Sequence, residues 1–360
     1  MAITPKSKID EIWFTRCAGG GRGGVPTASG IAYKLGYLTA EFKNDGIALR
    51  TLQEDAGKEL RHHHYDHQLS TLIREGGNLF AIPAKAQGAP TRLIGLTWID
   101  EGQSILVRPD SDIRSAQQLK GRRLALPAFN PVDIAENRRG RSIARHMSVH
   151  GYDGALASVG LTLKDVHLVE VGAGQDRTPD ANARDNYGSF WPSFEPLARG
   201  EVDAIYVKGA PAADGAAKHG FVVGIDLDKL PERRFRVNNG TPRPVTVHEY
   251  FLEHHYDLLV RFLRQTLRAA EWAKTNLKGV QEILQSETGA TAEGVAKAYR
   301  AGFHQSLAPD LSADRVDLFR QQKDFLLVHG VLDRDFDLDA WIDRRPLEEA
   351  ARTLENVRAA

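Results

Sequence analysis

Short apolar runs alternate with stretches of helical period along almost the whole chain, the pattern of an α/β protein. Glu11–Arg16 reads as the first β-strand, and strand-like runs recur at 46–52, 91–98, 103–108, 123–127, 166–171, 202–207 and 220–225. Apolar positions return every three or four residues over 28–42, 138–150, 257–276, 277–289, 292–301 and 313–329, which predicts helices there. The polar, glycine-bearing stretch 172–189 has no period and is expected to be a loop near a domain edge.

Two phrases bear on topology. VRPDSDIRSAQQLKGRRLA, from Val107 to Ala125, reads as a strand leaving one domain, a short helix and the first strand of another. LARGEVDAIY, from Leu197 to Tyr206, reads as a helix, a tight glycine turn and a returning strand. At 360 residues the chain exceeds the size at which one core stops growing, so two domains are the default. Together these predict two α/β lobes with a cleft between them. The first lobe is discontinuous, 1–107 with 211–360, and the second, 108–210, is inserted into it. That is the bilobal, type II arrangement of periplasmic solute-binding proteins, in which hinge closure encloses a ligand.

Composition narrows the partners. Hydrophobic residues make up 42% and charged residues 26%, ordinary values for a globular protein. Lys plus Arg equal Asp plus Glu at 47 each, so no global field points to nucleic acid or to an anionic membrane. No apolar run approaches the ~18 residues that span a bilayer. The opening MAITPKSKID has no apolar h-region and no small-residue cleavage site. One cysteine cannot form an internal disulfide. A cytoplasmic protein is the expectation.

That cysteine, Cys17, closes the first strand and precedes a glycine run from Gly19 to Gly24 and a helical pattern near Pro26. The carboxyl end of a parallel strand, ahead of a helix amino terminus, is the crevice where open α/β sheets bind ligands. The helix dipole there favours a thiolate. Free cysteine is equally a common core residue, so position alone leaves both roles open. Gly19, Gly21 and Gly24 spell G-x-G-x-x-G, but a dinucleotide fold needs an acidic residue roughly 20 residues on. Glu54, which with Asp55 ends the next strand, comes 30 residues after Gly24. A loop that lets backbone approach a ligand is the simpler reading, and no cofactor is expected.

Two further clusters carry polar chemistry. His62-His63-His64-Tyr65-Asp66-His67 gathers four histidines and a carboxylate. Imidazole suits zinc, copper and iron. No H-E-x-x-H or Cys/His finger spacing accompanies the run, however, and adjacent histidines in a loop cannot all point at one ion, so no metal is expected. A histidine titrating near neutrality suits acid–base work or partnership with a cysteine, against the bland alternative of a solvated loop. Arg74-Glu75-Gly76-Gly77 offers a guanidinium fork and backbone N–H donors to an oxyanion, against that of a surface turn.

The order Cys17, His62-x-x-Tyr65-Asp66, Arg74-x-Gly76-Gly77 resembles the aromatic sulfinate desulfinases, which have a cysteine after the first strand, a His-x-x-Tyr-Asp segment and then Arg-x-Gly-Gly. The likeness runs on through PTRLIGLT (90–97), VRPD (107–110), LKGRRL (119–124), GEVDAIY (200–206) and FLLVHGVL (325–332), nearly the whole chain. It implies the bilobal periplasmic-binding fold and carbon–sulfur cleavage that releases sulfite, without a cofactor, from a small anionic organosulfur substrate. It implies Cys17 as the catalytic thiol, as nucleophile or proton donor. Arg74 would be the sulfinate clamp, with Gly77 beside Gly76 as a backbone donor. His62 would partner the cysteine, with His63 and His64 as rivals, because the spacing from histidine to Arg74 is two residues longer than in the family. Thr15 takes the place of a hydroxyl residue two before the cysteine. The glycine run replaces bulkier residues, and Arg22 would add positive charge. Trp98, Phe129, Phe190 and Trp191 are candidates for an arene pocket, each with core packing as its default.

A second reading, from a different class, is a solute-binding protein for a small sulfonate- or nitrate-like anion. It would bind without turnover, and only this reading brings in an ABC permease. Thiamine-pyrimidine synthases share the scaffold but carry a cluster of cysteines, against which the single Cys17 argues.

Overall fold

The structure is a computed structural model that describes residues 9–16, 27–172 and 194–359, together with the backbone of Ala18–Gly19 and Arg22–Gly23. Cys17, Phe190, Trp191 and all but the first residue of the expected 172–189 loop lie outside the described residues.

The strands are β1 (Glu11–Arg16), β2 (Ala18–Gly19), β3 (Arg22–Gly23), β4 (Ala48–Thr51), β5 (Leu72–Glu75), β6 (Thr91–Thr97), β7 (Ser104–Val107), β8 (Arg123–Pro127), β9 (His167–Val171), β10 (Ile205–Val207), β11 (Val222–Asp226) and β12 (Arg243–His248). The first sheet has the order β4-β1-β5-β12-β6. In it β4, β1 and β5 run parallel and β12 runs against both neighbours. Ile12 through Arg16 are all buried, as a central parallel strand covered on both faces requires. The helix Tyr256–Thr275 packs over one face, with Phe262 meeting the Phe14 ring edge-on at 5.3 Å.

β7 pairs antiparallel with β10 and β11, and β8 pairs parallel with β9. A parallel bridge between Leu124 and Ala204, with Ala125 N–H donating to Ala204 O at 3.0 Å, joins them into a second sheet, β9-β8-β10-β7-β11. Each sheet thus has one strand running against the rest, β12 in the first and β7 in the second. These are the strands entered after the chain crosses between sheets, at 98–103 and again at 227–242. The first sheet draws on 11–97 and 243–248, the second on 104–226.

The two crossovers are tied to each other. Arg236 Nη1 donates to both Asp100 oxygens at 3.1 Å, Gly102 N–H donates to Asp228 Oδ2 at 2.7 Å, and Gln103 Nε2 donates to Arg236 O at 2.9 Å. Asn238 Nδ2 reaches Met147 O at 3.0 Å and Tyr206 Oη at 3.1 Å, in the second lobe. Among the described residues no helix is long and apolar enough to cross a membrane.

Candidate active site

β1 and β5 lie side by side with Thr15 opposite Arg74 and Arg16 opposite Glu75. Side chains alternate along a strand, so the first pair faces one side of the sheet and the second pair the other.

On the first face everything converges on His64. Thr15 is fully buried; its Oγ1 accepts from Gln53 Nε2 at 2.9 Å and lies 2.8 Å from His64 Nδ1. Arg74, also fully buried, donates from Nε to His64 O at 2.7 Å and from Nη2 to Gly77 O at 2.9 Å. The guanidinium therefore staples the turn carrying His64 to the turn that opens the helix Asn78–Ala86. Phe80 closes the side, edge-on to the His64 ring at 5.5 Å and 6.0 Å from the Arg74 guanidinium. Burial first, and then the Arg74 charge, holds the His64 imidazole well below its ordinary range, so the ring is neutral near pH 7.

The Thr15 contact ties the tautomer of the ring to the direction of the hydroxyl proton. With Gln53 donating to the Thr15 hydroxyl, the hydroxyl proton is satisfied by pointing at His64 Nδ1. In that arrangement Nε2 is the protonated nitrogen, a donor.

His62 was the expected partner of Cys17, with His63 and His64 as rivals; of the three, His64 lies against Thr15 and Arg74. Residues 58–67 are not a loop but two single helical turns, Lys58–Arg61 and His63–Asp66, with His67 turning the chain at φ +56°. A helix rotates successive side chains by about 100°, so only one of three adjacent histidines can face the strand end. His62 and His63 face Asp66, with His62 Nε2 3.5 Å from Oδ2 and His63 Nδ1 3.0 Å from Oδ1. His67 is buried, with Nε2 at 3.1 Å from Leu72 O, and its pKa is pushed down to about 3 by burial.

The two glycines differ in use. Gly76 N–H donates to Pro244 O at 3.3 Å, so it belongs to the sheet and is not offered to an anion. A Cβ there would stand 2.8 Å from Arg74 Nη2 and 3.0 Å from His64 Cε1, so the bare backbone is what lets Arg74 and His64 meet. Gly77 caps the following helix, where Asn239 from the second crossover accepts from Asn78 N–H through its carbonyl and from Leu79 N–H through Oδ1, both at 2.9 Å.

The opposite face is an ion-pair network. Arg16 donates from Nε to Glu287 Oε2 at 2.9 Å and from Nη2 to Glu54 Oε1 at 2.6 Å, and its guanidinium lies 4.6 Å from the Tyr33 ring centre. Burial would raise the Glu54 carboxyl, but the Tyr33 hydroxyl and Arg16 outweigh it and hold it below its usual value. Glu75 is fully buried against Ser29 and Thr97, and burial pushes its carboxyl up.

This network also accounts for the glycine-motif residue Glu54, which serves Arg16 and Tyr33. The glycine run itself forms a small antiparallel ladder, Ala18 opposite Gly23 and Gly19 opposite Arg22, where a dinucleotide loop would lead from strand straight into helix. Of the arene candidates, Trp98 lies in the crossovers, with Arg233 and Arg236 at 5.4 and 5.7 Å from its ring. Phe129 is 44% exposed, with the Arg145 guanidinium 4.1 Å from its ring centre. Trp98 directly follows β6, and Phe129 lies two residues beyond β8. Gln53, Arg16 and Asn239 escaped the sequence reading. Gln53 had a signal, since it follows β4 in the same crevice at the carboxyl ends of the parallel strands.

No protein-family model matches the chain. Over 362 aligned positions, 92% of this chain and 91% of the relative, it is 26% identical to the 2'-hydroxybiphenyl-2-sulfinate desulfinase of Rhodococcus erythropolis. Among solved structures, a cysteine-to-serine mutant of DszB in complex with biphenyl-2-sulfinic acid matches 96% of this chain and 100% of that one, with a TM-score of 0.72 at 23% identity. The periplasmic aliphatic sulphonate binding protein SsuA of Escherichia coli matches 94% of this chain and 93% of that one, with a TM-score of 0.63 at 15% identity. The chain has the two-lobe α/β fold of the periplasmic-binding type, and over nine-tenths of its length it is similar to the sulfinate desulfinases.

Proposed function

We propose that the chain is a cofactor-independent carbon–sulfur hydrolase that releases sulfite from an aromatic or related sulfinate: ArSO2⁻ + H2O → ArH + HSO3⁻. The observation that carries this reading is the meeting of Thr15, His64 and Arg74 at the carboxyl end of β1, directly before Cys17 in the chain. Arg74 brings a full positive charge to a buried place, where it acts on an anion far more strongly than in water. Two of its donors are spent on His64 O and Gly77 O, so it is a fixed charge with its geometry set in advance.

His64 in this reading donates Nε2–H to a sulfinate oxygen or to a thiolate. A neutral, buried imidazole is suited to that once its Nδ1 accepts the Thr15 hydroxyl proton, and burial disfavours a second proton on it. Cys17 supplies the thiol, either attacking sulfur or delivering a proton to the ipso carbon. Gly77 is the backbone donor that remains once Gly76 is assigned to the sheet.

The test is sulfite release from aryl sulfinates by the purified protein. Release that disappears in Cys17→Ser supports the reading. Full activity in that variant would remove the cysteine from it. The fold likeness to a sulphonate-binding protein favours one other reading, a binder of small sulfur oxyanions. Tight calorimetric binding of a sulfonate with no sulfite formed from any sulfinate would establish that reading in its place.

A further inference from the structure

Adjacent histidines in an extended loop diverge, but here the run is helical, and the turn gathers two of them with a carboxylate on its outer side. We infer that His62, His63 and Asp66 form a surface binding site for a divalent d-block cation of the zinc, cobalt and nickel class. Their ligand atoms, one from each residue, all lie within 4.8 Å of one another. No other group of three such residues among the described residues is gathered this closely.

The spacing fits an ion. Ligands at ~2.0–2.1 Å around a tetrahedral cation stand about 3.3 Å apart. His62 Nε2 and His63 Nδ1 lie 3.5 and 3.0 Å from the Asp66 oxygens, on either side of that value. The two rings are 4.1 Å apart between centres and tilted by 42°. An incoming cation takes the place of the shared proton in the His63–Asp66 hydrogen bond.

The donor set selects the class. Two imidazoles and a carboxylate suit borderline d-block ions, whereas magnesium and calcium ask for oxygen ligands. The His62 and Asp66 side chains are 41% and 33% exposed, so water has access to complete the coordination shell. The neighbouring histidines do not compete for the ion. His64 turns inward to Thr15, and His67 Nε2 is engaged with Leu72 O.

Cobalt(II) titration of the full-length protein, followed by absorption and calorimetry, tests the site separately from any desulfinase activity. Cys17 is itself a potential ligand, so the titration is run on the wild type, Cys17→Ser, His63→Gln and Asp66→Asn, with unfolding temperatures confirming that each variant folds. The expected result is one equivalent bound in the wild type and in Cys17→Ser, with no thiolate-to-cobalt charge-transfer band. Binding weakens at least tenfold in both His63→Gln and Asp66→Asn. Loss of binding in Cys17→Ser, unchanged affinity in either of the other two variants, or no stoichiometric binding in the wild type overturns the assignment.

Discussion

Thr15 Oγ1 and His64 Nδ1 stand 2.8 Å apart across 49 residues of sequence, and this contact ties the tautomer of the imidazole to the direction of the hydroxyl proton. With Gln53 donating to the hydroxyl and the hydroxyl proton turned to Nδ1, Nε2–H is the donor that remains. Burial and the Arg74 charge keep the ring uncharged, so what His64 offers is a hydrogen bond of fixed direction.

Thr15→Val removes the hydroxyl at nearly constant volume. His64 Nδ1 loses its partner, Gln53 Nε2 loses its acceptor, and the ring is no longer held by the hydroxyl. Sulfite release should fall on the order of 10–100-fold, the size of effect expected from misorienting a reacting group. Thr15→Ser should restore most of it. Equal turnover in the valine and wild-type proteins would show that the contact plays no part in the reaction.

Gly76→Ala tests the packing beneath that contact. The new methyl would meet Arg74 Nη2 at 2.8 Å, Arg74 Cζ at 2.9 Å and His64 Cε1 at 3.0 Å. Arg74 cannot yield cheaply, because both its Nε and its Nη2 are held by backbone carbonyls. Overpacking of this kind costs about 1–3 kcal/mol, and here it also shifts the charge at the strand end. The urea midpoint should drop and turnover should drop with it. A variant as stable and as active as the wild type would mean that the site is looser than these distances imply.

Strands that obey their period were legible: β1 and β8 occupy the spans the apolar pattern predicts. β5 and β12 were not, for physical reasons. Leu72–Glu75 carries two charged residues in four, which reads as surface until His64 O, Gly77 O, Ser29 and Thr97 are seen to satisfy them inside the fold. Arg243–His248 contains Pro244, which ordinarily argues against an interior strand. The expected helix over 28–42 is two helices, Ala28–Lys34 and Tyr37–Lys43, because Gly36 adopts φ +74° between them. Which histidine turns inward was hidden for a related reason. Spacing counts residues along the chain, whereas the facing residue is set by rotation about a helical turn whose register the motif does not contain.

Glu101→Gln should be among the most damaging single changes outside the site. Glu101 is 3% exposed, in the first crossover, and its carboxylate is shared by Arg243 of β12 and by Lys208, which follows β10 in the second sheet, with Lys208 Nζ at 3.1 Å. Burial would raise this carboxyl, but the two cations outweigh it and hold it below its usual value. The neutral amide leaves two buried cations without their shared counter-charge. Breaking such an arrangement costs about 3–5 kcal/mol. Equilibrium urea unfolding should register most of that loss, and a change under about 1 kcal/mol would show that water reaches the pair.

Asp228 makes stability depend on pH through the same crossovers. It is 1% exposed; Oδ2 accepts from Gly102 N–H, and Oδ1 has no hydrogen-bond partner. Burial, and after it the like charge of Asp100, pushes its carboxyl up from 3.8 to about 7, with Arg236 offsetting only part of the rise. The folded protein thus holds this proton more tightly than the unfolded chain does. The stabilisation from that proton is complete below the unfolded value near 3.8 and is lost as the pH rises through about 7. Asp228→Asn mimics the protonated form at every pH, so it should be spared this decline. Unfolding free energies measured from about pH 5 to about pH 8 should therefore diverge in favour of the asparagine variant, by on the order of 2–4 kcal/mol at the upper end. All other titrating groups are common to both proteins and cancel in the difference. Parallel curves would show that Asp228 ionises in the fold at its ordinary pKa.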